Sequence, residues 1–94
     1  MPVAKHWTVD IYLSEEDGDE HTVTRAEARL HTQDATDLRG HGHARKHPDD
    51  ADVPEIGDEL AAARALSDLA HQLLHAAAED IEAVTHQPVA RLAE

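Results

Sequence analysis

Leu38-Arg39-Gly40-His41-Gly42-His43-Ala44-Arg45 is the stretch on which the fold turns. Its residues alternate. Leu38, Gly40, Gly42 and Ala44 fall on one face of an extended segment, and Arg39, His41, His43 and Arg45 on the other. Glycine weakens a strand by entropy, yet two glycines on one face let another element press close to the backbone. The candidate for that element lies downstream. From Gly57 the apolar period lengthens to that of a helix, and Ile56, Leu60, Ala63, Leu66, Leu69, Ala70, Leu73 and Ala77 trace one stripe. The alanine content favours a helix, and Asp58 and Glu59 suit its N-terminus. The pattern predicts a helix near 57–78 that crosses a sheet, with Leu66, Leu69 and Leu73 buried and Gly40 and Gly42 beneath it.

Two more strands precede this pair. In His6 to Leu13, Trp7, Val9, Ile11 and Leu13 share one face, and His6, Thr8, Asp10 and Tyr12 the other. In Thr22 to His31, Thr24, Ala26, Ala28 and Leu30 can face inward, with Val23, Arg25, Glu27, Arg29 and His31 outward. Ala, Arg and Glu are poor strand formers, so a helix is the rival reading there; flanking strands favour a strand. Ser14 to Glu20 reads as an acidic, solvated turn and Gln33 to Thr36 as the next. His47 to Pro54, with two prolines and three aspartates, reads as a connection. Beyond Ala78 the helical pattern either continues or kinks through Asp80–Thr85, and Pro88 marks its end. The expected fold is α+β: a three-stranded antiparallel meander near 6–13, 22–31 and 37–45, with one long C-terminal helix over the Trp7, Val9 and Ile11 face. Trp7, the only tryptophan, belongs in the core on this reading.

The 94 residues suffice for one domain, with ends at 1–5 and 89–94 expected to fray. Its core must be thin. No cysteine is present, so disulfides and thiolate metal sites are excluded. No signal-peptide pattern and no apolar run of membrane-spanning length occurs, and the expectation is a cytoplasmic protein with no membrane partner. The formal net charge is −12, which opposes bulk binding to nucleic acid or anionic lipid. The charge is uneven: residues 1–47 carry six Lys/Arg against nine Asp/Glu, and residues 48–94 two against eleven.

Several stretches together resemble a known family. They are His6-Trp7-Thr8-Val9-Asp10-Ile11, Arg25-Ala26-x-Ala28-Arg29-Leu30, Gly40-x-Gly42-x-Ala44-Arg45, the run Val53 to Leu60, Ala63 to Leu69, and Asp80 to Pro88. They resemble short actinobacterial proteins of unknown function that include dormancy- and hypoxia-associated mycobacterial members. The resemblance spans roughly His6 to Pro88. It implies a fold like that of double-stranded-RNA-binding domains, a similarity to ribosome hibernation-promoting factors, and a setting of stress or dormancy. It brings no catalytic residues.

The strand phases put Arg25, Arg29, His31, Arg39, His41, His43 and Arg45 on the outer sheet face, against Asp10 and Glu27. Repeated cationic donors on alternate strand positions are what phosphate recognition needs; the plainer reading is a solvated face laced with cross-strand charge pairs. His41, His43 and His47 raise metal binding, but no further ligand is placed by sequence to close a shell. His71 and His75 have H-x-x-x-H spacing, with Gln72 where a metalloprotease needs its Glu, so a solvated helix face with an Arg64–Asp68 pair is the plainer account. Thr85 or His86 is expected to cap the helix by bonding free carbonyls. Ser14 and Ser67 lie in no nucleophile turn, and no Gly-rich phosphate loop occurs. The expectation is a non-enzymatic binding or regulatory protein with no cofactor and no evident small-molecule substrate. It acts on RNA or the ribosome, or else as a homodimeric protein-interaction module, or as a histidine-based metal binder. A sheet with two open edges and a thin core predicts a symmetric homodimer through an edge or the outer face.

Overall fold

The computed structural model describes residues 2–18, 21–33, 37–46 and 53–89. The elements run β1 (Thr8–Asp17), β2 (Thr22–His31), β3 (Arg39–Lys46) and α1 (Pro54–Thr85). The sheet is antiparallel in the order β1-β2-β3. Residues 22–31 are strand, so the helical rival is set aside. Weak strand formers hold there because both neighbours pair with them and one face is buried.

β1 starts two residues later than its hydropathy pattern and runs on through Ser14-Glu15-Glu16-Asp17, the stretch expected as turn. Pairing explains this. Glu15, Glu16 and Asp17 oppose Thr24, Val23 and Thr22. Thr22 Oγ1 donates to Asp17 Oδ1 at 3.1 Å, and the Gly18 N–H bonds His21 O at 2.8 Å to close the hairpin. Acidic side chains that stay in water cost such an extension little.

α1 begins at Pro54, inside the expected connection, and continues to Thr85 rather than ending near 78. Proline is tolerated in the first turn because its missing N–H would have no helical partner there. The helix ends as expected. Thr85 Oγ1 donates to Ile81 O at 2.9 Å, and His86 turns left-handed (φ 58°) while its N–H bonds Glu82 O at 2.8 Å. Val89 N–H reaches back to Glu82 Oε1 at 2.8 Å, so the described chain is tied down to its end. Residues 1 and 90–94 of the expected frayed ends, and most of the 47–54 connection, lie outside the described residues.

The core is Ala26, Ala28, Leu30 and Ala44 from the sheet against Ala61, Ala65 and Leu69 from the helix, flanked by Leu38 and Leu73. Gly40 and Gly42 lie under the helix as expected. A Cβ on Gly40 would stand 2.2 Å from Ala65 O, and one on Gly42 2.4 Å from Ala65 N. This closeness sets the helix rotation. The helix rests on the glycines through Ala61, Ala65 and Leu69, so these three turn inward while Leu66 is 41% exposed. The expected burial of Leu66 is thereby corrected; that of Leu69 stands, and Leu73 is half-buried.

The helix covers the face predicted for it, but not all of that face. It lies mainly over β2 and β3, where side chains are small, and only grazes β1. Val9, Ile11 and Leu13 share the helix side of the sheet with their partners Leu30, Ala28 and Ala26. They nonetheless stay 39%, 39% and 47% exposed. Trp7 is no core residue: it precedes β1 and is 49% exposed.

Candidate functional site

The register brings all seven cationic candidates to the outer face. Arg29 faces Arg39 across β2 and β3, Arg25 faces His43, Glu27 faces His41, Val23 faces Arg45, and His31 faces Thr8. Most of the face is knitted into charge pairs. Glu27 is the hub. Its carboxylate lies 3.2 Å from Arg29 Nε and 3.6 Å from Arg39 Nη1. The hydrogen bond from Arg29, helped by the charges of Arg29, Arg39 and His41, holds the Glu27 carboxyl below the usual glutamate range. The same bond raises the Arg29 guanidinium. Arg29 also stacks over the Tyr12 ring at 4.3 Å. His31 Nε2 meets Asp10 Oδ2 at 2.9 Å, Arg39 approaches Asp37 at 3.9 Å, and Arg25 approaches Glu16 at 4.0 Å. A shallow depression of about 280 Å³ opens between Tyr12, Ser14, Arg25, Glu27 and His41.

The two sheet edges differ more than the two faces. On β3, Gln72 Nε2 donates to Arg39 O at 2.7 Å, Asp68 Oδ2 accepts from the His41 N–H at 2.8 Å, and Arg64 Nη1 donates to His43 O at 2.7 Å. Gln72 Nε2 also lies 3.1 Å from Asp68 Oδ2. Arg64 and Asp68 therefore grip the strand rather than forming the ion pair expected of a solvated helix face. Residues whose backbone groups point outward from β3 are Arg39, His41 and His43, so β2 turns Arg25, Glu27 and Arg29 toward β1. On β1 the residues bonded to β2 are then Asp10, Tyr12 and Ser14. Val9, Ile11 and Leu13 point their N–H and C=O groups away from the sheet. The exposed apolar side chains and the outward backbone groups belong to the same three residues. Leu66 lies on the helix flank opposite Arg64 and Asp68, the flank that overlooks β1.

His47 lies outside the described residues, and among the described ones the histidines assemble no ligand set. His71 Nδ1 lies 2.8 Å from Ser67 O, and His75 Nε2 lies 2.9 Å from Glu79. Among the described residues no group of three or more His, Cys, Asp or Glu is placed to hold a metal ion. No described helix is long and apolar enough to cross a membrane.

Residues 5–90 match the sequence profile of the Rv2632c-like family. The chain belongs to that family. It is 56% identical over 86 residues to the uncharacterized protein Mb1767 of Mycobacterium bovis, covering 92% of this chain and 86% of the relative. It is 49% identical over 90 residues to the uncharacterized protein Rv2632c of Mycobacterium tuberculosis, covering 96% and 91%. The crystal structure of Rv2632c superposes with a TM-score of 0.75 at 49% identity, over 93% of this chain and 98% of the other. The α+β architecture is thus that of an Rv2632c-like protein.

Sequence reasoning missed the exposure of Val9, Ile11 and Leu13 and the grip of Arg64, Asp68 and Gln72 on β3. A signal for the first was present: β1 carries bulky side chains where β3 carries glycine, and a helix settles where side chains are small.

Proposed function

We propose that this Rv2632c-like protein is a non-enzymatic protein-interaction module whose working form is a symmetric homodimer joined through β1. One observation carries the reading: Val9, Ile11 and Leu13 expose apolar side chains on the same stretch that exposes unpaired backbone groups. A second β1 alongside satisfies both at once, by adding a ladder of hydrogen bonds and by covering apolar surface. The occupant is a second copy because β1 complements itself. With the dyad at Ile11, Val9 of one copy lies opposite Leu13 of the other. Lys5 then lies opposite Asp17 and His6 opposite Glu16. Shifting the dyad to Asp10 sets that carboxylate against itself.

The test uses the absence of native cysteine. Ile11→Cys sits on the proposed dyad, where directly opposed residues are about 5.5 Å apart between Cα atoms, within disulfide reach. Mild oxidation should crosslink it to a dimer and leave Tyr12→Cys monomeric under denaturing electrophoresis. Equal crosslinking at both positions contradicts the register, and a monomeric mass at high micromolar concentration contradicts the homodimer.

A second reading, contact with RNA or the ribosome, draws on the gathering of seven cationic positions on one face. Pairing through β1 would join two such faces into one surface. Because Arg29 and Arg39 are engaged by Glu27 and His31 by Asp10, the groups left for phosphate are His41, His43 and Arg45, together with Arg25, which Glu16 approaches only at 4.0 Å. Binding to ribosomal subunits or duplex RNA should then fall steeply with salt and vanish in Arg25→Glu/Arg45→Glu. No binding at low salt and slightly acidic pH retires this reading.

A further inference from the structure

We propose that Arg64, Asp68 and Gln72 form an edge lock: three helix side chains that stand in for a fourth strand on β3 and confine self-association to β1. The inference rests on the homodimer reading for where association occurs, but not for what the lock does.

The geometry is that of a strand replaced by a helix. Residues four apart on a helix rise by about 6 Å. Alternate residues on a strand, those whose backbone groups point to the same side, repeat at about 6.7 Å. The two repeats nearly match, so one helix flank keeps pace with one strand edge over three successive contacts. The order is antiparallel: Arg64 meets His43, Asp68 meets His41, and Gln72 meets Arg39. The chemistry alternates as the edge does. Arg64 has only donors and meets a carbonyl. Asp68, ionised, has only acceptors and meets an N–H. Gln72 offers its amide N–H to the next carbonyl and also to Asp68, which ties two members of the lock together.

Gly40 and Gly42 make the arrangement possible. They bring the helix backbone close enough for these side chains to reach the strand. An open strand edge is a template for further pairing. A chain with two open edges adds copies without limit, whereas a chain with one open edge stops at a closed pair. The lock leaves this sheet with β1 as its available edge.

Alanine is a strong helix former, so the triple variant Arg64→Ala/Asp68→Ala/Gln72→Ala should keep α1 while removing the lock. Circular dichroism confirms the fold. Amide exchange should then show the His41 N–H at least about tenfold faster than in the wild type, because its charged acceptor is gone. Sedimentation should show species larger than the wild type that grow with concentration. Adding Ile11→Lys to the triple variant should still leave association, now through β3, whereas Ile11→Lys alone should be monomeric. If the triple variant fails to fold, Asp68→Ala carries the same two readouts. A folded variant with wild-type mass overturns the proposal, as does an unchanged His41 exchange rate. A monomeric wild type whose unlocked variant associates would defeat the homodimer reading and leave the lock standing.

Discussion

β1 and β3 flank the same central strand, and almost everything about them is opposite. β3 carries Gly40, Gly42 and Ala44 beneath the helix, and its edge is bonded by Arg64, Asp68 and Gln72. β1 carries Val9, Ile11 and Leu13 on the same side of the sheet; its edge is open and these side chains are only partly covered. The difference teaches how side-chain size steers a helix. α1 goes where the sheet is thinnest, and the strand with the larger apolar residues is left for something else to bury.

The strongest way to break the comparison is to give β3 the bulk of β1. Gly42→Val places side-chain atoms inside the backbone of α1 at Ala61 and Ala65. The expected cost is at least about 3 kcal/mol, read as a collapse of the denaturation midpoint. The converse change on β1, Ile11→Ala, should cost about 1 kcal/mol or less in dilute solution, where no partner covers it. Equal losses would mean that the helix does not discriminate between the strands.

Leu69 is the large side chain that α1 contributes to the core, whereas Leu66, one turn earlier, leans over β1. Leu69→Ala should cost about 2–5 kcal/mol by urea denaturation. Leu66→Ala should cost clearly less at low concentration. Comparable effects would return the helix to the rotation that its leucine stripe implies.

The smallest effect concerns the outer face that the two strands share. Glu27 has its pKa lowered by the hydrogen bond from Arg29, so it binds a proton more readily unfolded than folded. Its contribution is present above the unfolded glutamate value of about 4.3 and is lost as pH falls through the lower folded value. Glu27→Gln should therefore flatten the acid limb of the stability profile and leave its shape near pH 7 unchanged. An acid limb identical to the wild type would mean that the Glu27 hub holds no linkage.

Much of this was legible in the residues. Alternation in 22–31 and 38–45 assigns every side chain to its face, because a strand has only two faces and a one-residue slip would expose Ala26, Ala28 and Leu30. The seven cationic positions were gathered by that same logic. The helix rotation was not legible. Hydropathy ranks leucine above alanine, so the stripe through Ile56, Leu60 and Leu66 outweighs Ala61 and Ala65, though it is these alanines, with Leu69, that lie over glycine. The extension of β1 into acidic residues depends on pairing with β2 rather than on local preference. The bonds from Arg64, Asp68 and Gln72 to β3 leave no trace in hydropathy, because they join polar side chains to backbone that every residue shares.

One measurement addresses both edges together: amide hydrogen exchange of the wild-type protein as a function of its concentration. The Val9, Ile11 and Leu13 amides should exchange quickly in dilute solution and become protected as concentration rises and β1 finds its partner. The His41 amide, held by Asp68 within the same chain, should be protected to the same degree throughout. Fast exchange at Val9, Ile11 and Leu13 at every concentration, or a His41 amide as exposed as theirs, would contradict the account.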